Sequence, residues 1–451
     1  MKIIVAGDGK VGSTLVRRLS LEGYDLTVID LDGRTLENVA EQYDVMAVQG
    51  NCVAMNVLRE AGVEEADLLI ATTGQDEVNL LCCITAHGMN SELHTIARIR
   101  NPEYTEQIYK MRDQFALSLS VNPEKRTAME IERLLKYPGF LRRDTFANGR
   151  VEIVELRIDE NSKLRDVSLN DVNQIVKCAI LVCVVLRNGE AITPNGDFVL
   201  RSGDRIFVTA SVDNLSVLLK NLGIVTHKVK RVILCGGSRI SYYLAAQLQK
   251  NMTVQIIEQD RKRCEMLARL LPDCSIIHGD ASDQFLLENE GITSCDAVVT
   301  LTGLDELNMV VSLYAQHCKV PLVITKVGHM EGAILNNLSL GSIVCAKELC
   351  SNVIVRYVRA MRNQTGAARS IHRIADGHAE ALEFRADETT LHCHVPLKNL
   401  KIKKNVLIAG IARGGIQELA TGNSSFQPGD TVIVVTSGNV VIYQLNDIFV
   451  S

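Results

Sequence analysis

Apolar positions along the chain follow two rhythms. Short apolar runs (Ile3–Ala6, Leu26–Ile29, Val45–Val48, Leu68–Thr72, His94–Ile99 and Phe115–Val121) read as strands. The stretches between them carry apolar residues at helical spacing, as in Val11, Leu15, Val16 and Leu19. Strand–helix alternation predicts an α/β fold, a Rossmann-like doubly wound parallel sheet with helices on both faces. Further on, short strands are separated by the turns Asn188–Gly189, Pro194–Asn195–Gly196 and Ser202–Gly203–Asp204. They predict a small α+β module, mostly antiparallel, of about 70–75 residues. Between the two patterns, Glu124–Leu135 reads as a helix stopped by Tyr137–Pro138–Gly139.

The whole pattern occurs twice. Lys2–Gly12 (KIIVAGDGKVG) matches Arg231–Ser241 (RVILCGGSRIS), and Gln49–Asn51 matches His278–Asp280. Asp67–Asn79 (DLLIATTGQDEVN) matches Asp296–Asn308 (DAVVTLTGLDELN) at the same offset. Leu181–Val208 matches Leu407–Val434 without a gap, so that Arg187 meets Arg413 and Gly203–Asp204 meet Gly429–Asp430. Three blocks at one offset mark a tandem duplication. The expected domains are 1–123 (first parallel-sheet lobe), 124–148 (linking helices), 149–226 (first antiparallel lobe), 229–347 (second parallel-sheet lobe), 348–375 (linking helices) and 376–451 (second antiparallel lobe). For the helices Glu124–Leu135 and Glu348–Met361 two arrangements are open: packing on their own sheet, or crossing a pseudo-two-fold interface.

Composition narrows the function classes. The 451 residues are 47% apolar and 22% charged, enough for several packed cores. A net charge of −5 leaves no extended basic field, which argues against binding nucleic acid by phosphate neutralisation. Tryptophan is absent and aromatics are 4%, so no stacking platform for single strands is expected. The longest clean apolar run, Cys178–Leu186, is about half of what spans a bilayer. The opening residues MKIIVAGDGKVG run directly into a strand and a glycine turn, so no signal peptide is expected. Thirteen cysteines without a Cys-x-x-Cys pair are expected to be reduced, buried thiols.

The candidate chemistry lies in the glycine turns. Gly7-Asp8-Gly9-Lys10-Val11-Gly12 closes a strand and opens a helix, and the next strand ends in Asp30. Strand, G-x-G-x-x-G, helix, strand, acid is a dinucleotide-binding context. Gly7 permits the turn, Gly9 lets the backbone approach a diphosphate, and Gly12 lets the helix pack on the strand. Free N–H groups at the helix start attract phosphate. Asp30 suits ribose hydroxyls and repels a 2′-phosphate, which favours NAD(H) or another adenine nucleotide over NADP(H). Asn51, Thr73, Gly74 and Arg98 fall at the same sheet edge. A charge in the apolar strand of Arg98 needs a partner, either a ligand anion or Asp76 or Glu77. The second turn, Gly236-Gly237-Ser238-Arg239-Ile240-Ser241, replaces two glycines by serines, which crowd a diphosphate. There Glu258 takes the place of Asp30, Asp280 of Asn51, Thr302 and Gly303 of Thr73 and Gly74, and Lys326 of Arg98.

Signs of catalysis are few. No Tyr-x-x-x-Lys, G-x-S-x-G or Walker pattern occurs. The only dense group of metal-ligand types is His392-Cys393-His394, whose histidines would share one face of a strand, and two ligands do not make a metal site.

The segments MKIIVAGDGKVGSTL, ATTGQDEVN, CGGSRIS and GIARGGIQELATGNSSFQPGDTVIVV resemble the TrkA family, the tandem RCK (KTN) regulatory subunits of bacterial Trk potassium-uptake systems. The resemblance spans essentially the whole chain. It implies that the parallel-sheet lobes are RCK-N and the antiparallel lobes RCK-C, with NAD(H) as cofactor and ATP or ADP as further ligands. It places a first site at Gly7, Asp8, Gly9, Lys10, Val11, Asp30, Asn51, Thr73, Gly74 and Arg98. It places a second at Gly237, Ser238, Arg239, Ile240, Glu258, Asp280, Thr302, Gly303 and Lys326. It further implies a non-enzymatic subunit on the cytoplasmic face of the inner membrane, bound to a TrkH- or TrkG-like potassium transporter. The subunit would be homo-oligomeric, as a dimer of two-unit chains or a larger ring, and would gate ion flux by changing ring shape. The alternative is an NAD-dependent oxidoreductase with a duplicated Rossmann fold.

Overall fold

The computed structural model describes residues 1–111, 114–136, 142–146, 151–223, 228–328, 340–361, 368–414, 416–438 and 440–450. The chain forms two compact units, Met1–Met129 with Cys345–Val358, and Glu130–Val344 with Arg359–Ser451.

The first unit holds β1 (Lys2–Ala6), α1 (Lys10–Leu21), β2 (Asp25–Asp30), α2 (Gly33–Gln42), β3 (Met46–Gln49), α3 (Met55–Glu60), β4 (Leu68–Ala71), α4 (Asp76–Met89), β5 (His94–Arg98), α5 (Pro102–Lys110) and β6 (Leu119–Val121). The strands pair in parallel in the order β3-β2-β1-β4-β5-β6. Ile3–Ala6 and Leu68–Ala71 are buried throughout, as both faces are covered by helices. The last strand is shorter than expected. Phe115 and Ala116 lie in a turn, with Ala116 at φ +52°. Chain order reverses between β1 and β4, and that reversal opens a crevice at their carboxyl ends.

The helix α6 (Pro123–Lys136) leads into the second unit. There β7 (Arg142–Phe146), β8 (Val151–Arg157), α7 (Leu169–Val176), β9 (Leu181–Arg187), β10 (Glu190–Ile192), β11 (Arg205–Ala210) and α8 (Val212–Leu222) form the first antiparallel lobe, ordered β10-β9-β11-β8-β7. A second parallel sheet follows. It comprises β12 (Arg231–Cys235), α9 (Arg239–Leu248), β13 (Thr253–Glu258), α10 (Arg261–Leu270), β14 (Ser275–His278), α11 (Gln284–Asn289), β15 (Ala297–Thr300), α12 (Asp305–His317), β16 (Leu322–Lys326) and β17 (Ser342–Val344). Its order, β14-β13-β12-β15-β16-β17, repeats that of the first. After α13 (Ala346–Met361) come β18 (Ser370–Ile374), β19 (Ala379–Arg385), β20 (Val406–Arg413), β21 (Ile416–Leu419) and β22 (Thr431–Ser437), ordered β18-β19-β22-β20-β21.

The segments 124–148 and 348–375, expected as linking helices, each contain a strand after the helix. β7 pairs antiparallel with β8, and β18 with β19. Each strand closes a sheet edge and buries apolar side chains, Phe146 in one and Ile371 and Ile374 in the other. One five-stranded sheet faces the other. Val151, Ile153 and Phe207 pack in a single cluster with Ala381, Ala409 and Ile433. The arginine–aspartate positions matched between the copies form the same ion pair, Arg187–Asp204 at 2.6 Å and Arg413–Asp430 at 2.7 Å.

α13 does not stay with the sheet that precedes it. Its residues through Val358 belong to the first unit, although the strand preceding it is part of the second. Cys350, Ile354, Val355 and Val358 form its buried stripe at helical spacing.

Candidate functional site

In the first lobe the glycine turn sits at the reversal point of the sheet. Gly7 has φ +93°, and a Cβ there would lie 2.8 Å from the Thr73 nitrogen at the end of β4. A Cβ on Gly12 would lie 2.0 Å from the Gly7 carbonyl oxygen. The protein's own packing therefore demands both glycines. Gly9 is different, because a Cβ there meets nothing within 4 Å. What glycine gains at position 9 is open space over the start of α1. Gly9 is also the N-cap of α1 and supplies no side-chain cap. The helix thus presents its first N–H groups uncovered, the geometry that receives a phosphate. Lys10 at this edge is exposed, while Val11 is buried beneath it.

Asp30, at the end of β2, closes the other side. Its Oδ2 accepts the Asp8 N–H at 2.7 Å and its Oδ1 accepts the Asp32 N–H at 3.0 Å. Each oxygen retains a lone pair for a hydroxyl donor. Asn51 is exposed, and its Oδ1 accepts the Val53 N–H at 3.2 Å. Thr73 donates its N–H and its hydroxyl to Asn79 Oδ1, at 2.8 and 2.7 Å. Gly74 is exposed, and its carbonyl accepts the Arg100 guanidinium.

Arg98 pairs with neither acid proposed for it. Its Nη2 donates to the Thr73 carbonyl, and its Nε is buried without a partner among the described residues. Burial, then the neighbouring Arg100 charge, hold its pKa below the usual arginine range. Arg100 takes the ion pair instead, 3.8 Å from Asp76. Asp76 Oδ2 also accepts the N–H groups of Arg100 and Asn101, at 2.8 and 2.7 Å, and Glu77 accepts the Tyr104 hydroxyl. The exchange follows from position, since Arg98 is the last residue of β5 and Arg100 lies beyond its end, beside the start of α4.

The residue that sequence reasoning missed is Asn79. It is fully buried, and its Nδ2 donates to the carbonyls of Thr73 (3.3 Å) and Arg98 (2.8 Å), which ties the ends of β4 and β5 together. Asn308 does the same for Thr302 and Lys326 in the second lobe, at 3.3 and 3.1 Å. The signal was available, for both repeated blocks end on this asparagine.

The second lobe copies the frame and alters the turn. Gly236 has φ +105°, Gly237 N–H donates to Glu258 Oε2 at 2.6 Å, and Asp260 N–H donates to Glu258 Oε1 at 2.8 Å. Lys326 Nζ donates to the Thr302 carbonyl at 2.8 Å, as Arg98 does to Thr73, and Gly303 is exposed beside it. Arg239 opens α9 exposed, with Ile240 buried. Asp280 accepts the N–H and hydroxyl of Ser282, both at 2.8 Å, and these bonds hold its carboxyl below the usual range. The serines do not simply crowd the turn. Ser238 is the N-cap of α9, its Oγ accepting the Ser241 N–H at 3.3 Å, and the buried Ser241 hydroxyl donates to the Gly236 carbonyl. A side chain thus occupies the helix start that stands open in the first lobe. Arg263 Nε donates to the Gly237 carbonyl at 2.6 Å, a contact not foreseen from sequence.

His392 and His394 lie in a turn at φ +60° and +65°, not in a strand. Among the described residues no group of three or more metal-ligand side chains comes together, and no helix is long and apolar enough to cross a membrane. All thirteen cysteines are free thiols.

Duplicated Rossmann-like lobes, each followed by an antiparallel lobe, define the tandem RCK architecture. Solved structures agree on the fold. The GsuK RCK domain superposes with a TM-score of 0.61 at 17% identity, covering 97% of this chain and 92% of that one. The GsuK channel bound to NAD superposes with a TM-score of 0.60 at 17% identity, covering 97% and 76%. The model of the TrkA-N domain matches residues 3–117 and 232–344, and that of the TrkA-C domain matches 153–223. A "Trk system potassium uptake protein TrkA homolog" of Archaeoglobus fulgidus is 32% identical over 437 residues, which are 96% of this chain and 97% of that protein. The "Trk system potassium uptake protein TrkA" of Haemophilus influenzae is 28% identical over 460 residues, covering 100% and 98%. The chain belongs to the TrkA family.

Proposed function

We propose that this chain is the nucleotide-sensing regulatory subunit of a potassium-uptake system, binding NAD(H), ATP or ADP and gating a TrkH- or TrkG-like membrane transporter from its cytoplasmic side. The observation that carries the reading is the first-lobe turn, where an uncapped helix start, a glycine facing open space and the Asp30 carboxylate converge. The relatives named for potassium uptake, and the channel solved with NAD, support it. When bound, the nucleotide would supply a polyanion whose contacts differ between ring shapes. It shifts the ring by its difference in affinity for them.

In this reading Gly7, Asp8, Gly9, Lys10, Val11, Asp30, Asn51, Thr73, Gly74 and Arg98 line the first site. Gly237, Ser238, Arg239, Ile240, Glu258, Asp280, Thr302, Gly303 and Lys326 line a second, weaker one. The functional domains are 1–123, 149–226, 229–347 and 376–451, joined by 124–148 and 348–375. The chain is read as a regulator and not a catalyst. A homo-oligomeric ring is supported by apolar pairs at matched, exposed positions of two helices, Leu81 and Ile84 on α4 and Val310 and Leu313 on α12.

Two measurements test the proposal. Calorimetric titration with NADH and with ATP is expected to show saturable binding. Copurification with a membrane potassium transporter, with and without nucleotide, is expected to recover the complex. The absence of both would overturn the reading, and turnover of nicotinamide with a carbonyl substrate would favour an oxidoreductase instead.

A further inference from the structure

We propose that Asp8 makes nucleotide binding in the first lobe proton-linked, its carboxyl standing neutral beside Asp30 so that an anionic nucleotide binds with uptake of a proton. This rests on the reading of the first lobe as a nucleotide site and specifies how that site is regulated. Asp8 is 7% exposed, and its Oδ1 has no hydrogen-bond partner among the described residues. Its neighbour Asp30 receives the available amides, those of Asp8 itself and of Asp32. A buried carboxyl whose Oδ1 accepts no donor, beside a second carboxyl, is disfavoured in its charged form. Burial first, and the Asp30 charge second, push the Asp8 carboxyl up to about 7.

The Asp30 charge also reaches the Cys52 thiol, just past β3. Lys10 at the start of α1 is exposed, as are Asp32 and Arg34 at the start of α2. Asn51 and Thr73, from the ends of β3 and β4, carry no charge.

The second lobe supplies the contrast. Gly237 stands at the matching position, and a Cβ there would lie 2.9 Å from Glu258 Oε2 and 2.7 Å from Leu267 Cδ1. Glu258 and Leu267 together fill the space that a side chain would take there, whereas the first lobe holds Asp8 beside the shorter Asp30. The two turns therefore differ by one buried titratable group, which belongs to this chain's first lobe only.

The sign follows from linkage. A bound diphosphate adds negative charge near Asp8 and favours its neutral form further. Below neutrality the proton is already present. Above it, binding must take one up, and affinity falls by at most about tenfold per pH unit for a single proton.

The test is calorimetry of the full chain with NADH from about pH 6 to about pH 9, in buffers of different ionisation enthalpy. The diphosphate of NADH does not titrate in that range. The expected result is affinity that declines above about pH 7, proton uptake approaching one, and loss of both in Asp8→Asn. Asp8→Gly, which copies the second lobe, serves if the amide variant misfolds. A pH-independent wild-type affinity, or a slope that survives in the variants, overturns the inference and leaves the nucleotide site standing. No NADH binding at any pH overturns both.

Discussion

Arg18 Nη1 donates to Asn352 Oδ1 at 2.7 Å, joining residues 334 positions apart within one compact unit. Arg18 is 2% exposed and lies in the last turn of α1, the helix that begins at the candidate phosphate turn. Asn352 and Glu348 lie on α13, and Glu348 stands 3.5 Å from Arg17 and 3.9 Å from Arg18. A guanidinium this deeply buried holds its charge only with such partners. One helix therefore carries the candidate ligand site at its start and a grip on the crossing helix at its end. Asn352→Leu is expected to lower unfolding stability by about 1.5–3 kcal/mol, the scale of a lost hydrogen bond to a charged group. Urea denaturation checks this, and wild-type stability in the variant would remove the grip from the account.

Asp30→Arg places a cation where the ribose acceptor stands. It is expected to weaken NADH binding at the first lobe by about 1–3 kcal/mol. Unchanged affinity in calorimetry would reject the role given to this acid.

The two helix starts allow a reciprocal exchange. Ser238→Gly uncovers the start of α9, and Gly9→Ser offers α1 a cap. The first is expected to tighten nucleotide binding in the second lobe, and the second to weaken it in the first, each by about 1 kcal/mol, the scale of one capping bond. Titrating Ser238→Gly on an Asp30→Arg background isolates the second lobe. No change in either variant would show that the cap does not compete with phosphate.

Asp8 also makes stability depend on pH without any ligand. Its folded carboxyl, pushed up to about 7, keeps a proton that the unfolded chain has already released above its ordinary value of 3.8. Between these values the native state binds more protons, so stability falls as pH rises and levels off above about 7. Asp8→Asn is expected to gain about 2–3 kcal/mol over the wild type at pH 8, after allowance for partial solvent access, and little at pH 4. Thermal unfolding at the two pH values measures it, and parallel profiles for the two proteins would count against a buried neutral acid.

The matched ion pairs of the antiparallel lobes are structural. Asp204 is 1% exposed, and besides Arg187 it accepts the Arg201 N–H at 2.8 Å. Asp430 repeats this with Arg413 and the Gln427 N–H at 2.9 Å. Asp204→Asn is expected to destabilise by about 3 kcal/mol, because it leaves part of the Arg187 charge uncompensated. NADH affinity measured on the folded fraction should not move.

Much of the architecture was legible in advance. Strand positions in the first parallel sheet follow from its apolar runs, and the misplaced start at Phe115 fails because apolar character alone does not distinguish a strand from a packed turn. The turns Gly7 and Gly236 were legible for a harder reason, since a positive φ in contact with a neighbouring strand admits almost nothing but glycine. β7 and β18 were missed because an edge strand of five residues is specified by the neighbour it pairs with, and Arg142–Phe146 has little apolar rhythm of its own. His392 and His394 were misread for a related reason, as alternation over three residues does not separate a strand from a turn.

Local periodicity, backbone restriction and repetition are written along the chain, and they settled the duplicated α/β architecture, the order of lobes and the position of both turns. Contacts between distant segments are not written there. The passage of α13 into the first unit, the preference of Asp76 for Arg100, the capping of α9 by Ser238 and the burial of Asp8 beside Asp30 each depend on side chains brought together by packing. Their energies come from desolvation and from hydrogen-bond partners far away in sequence, and periodicity carries no record of either.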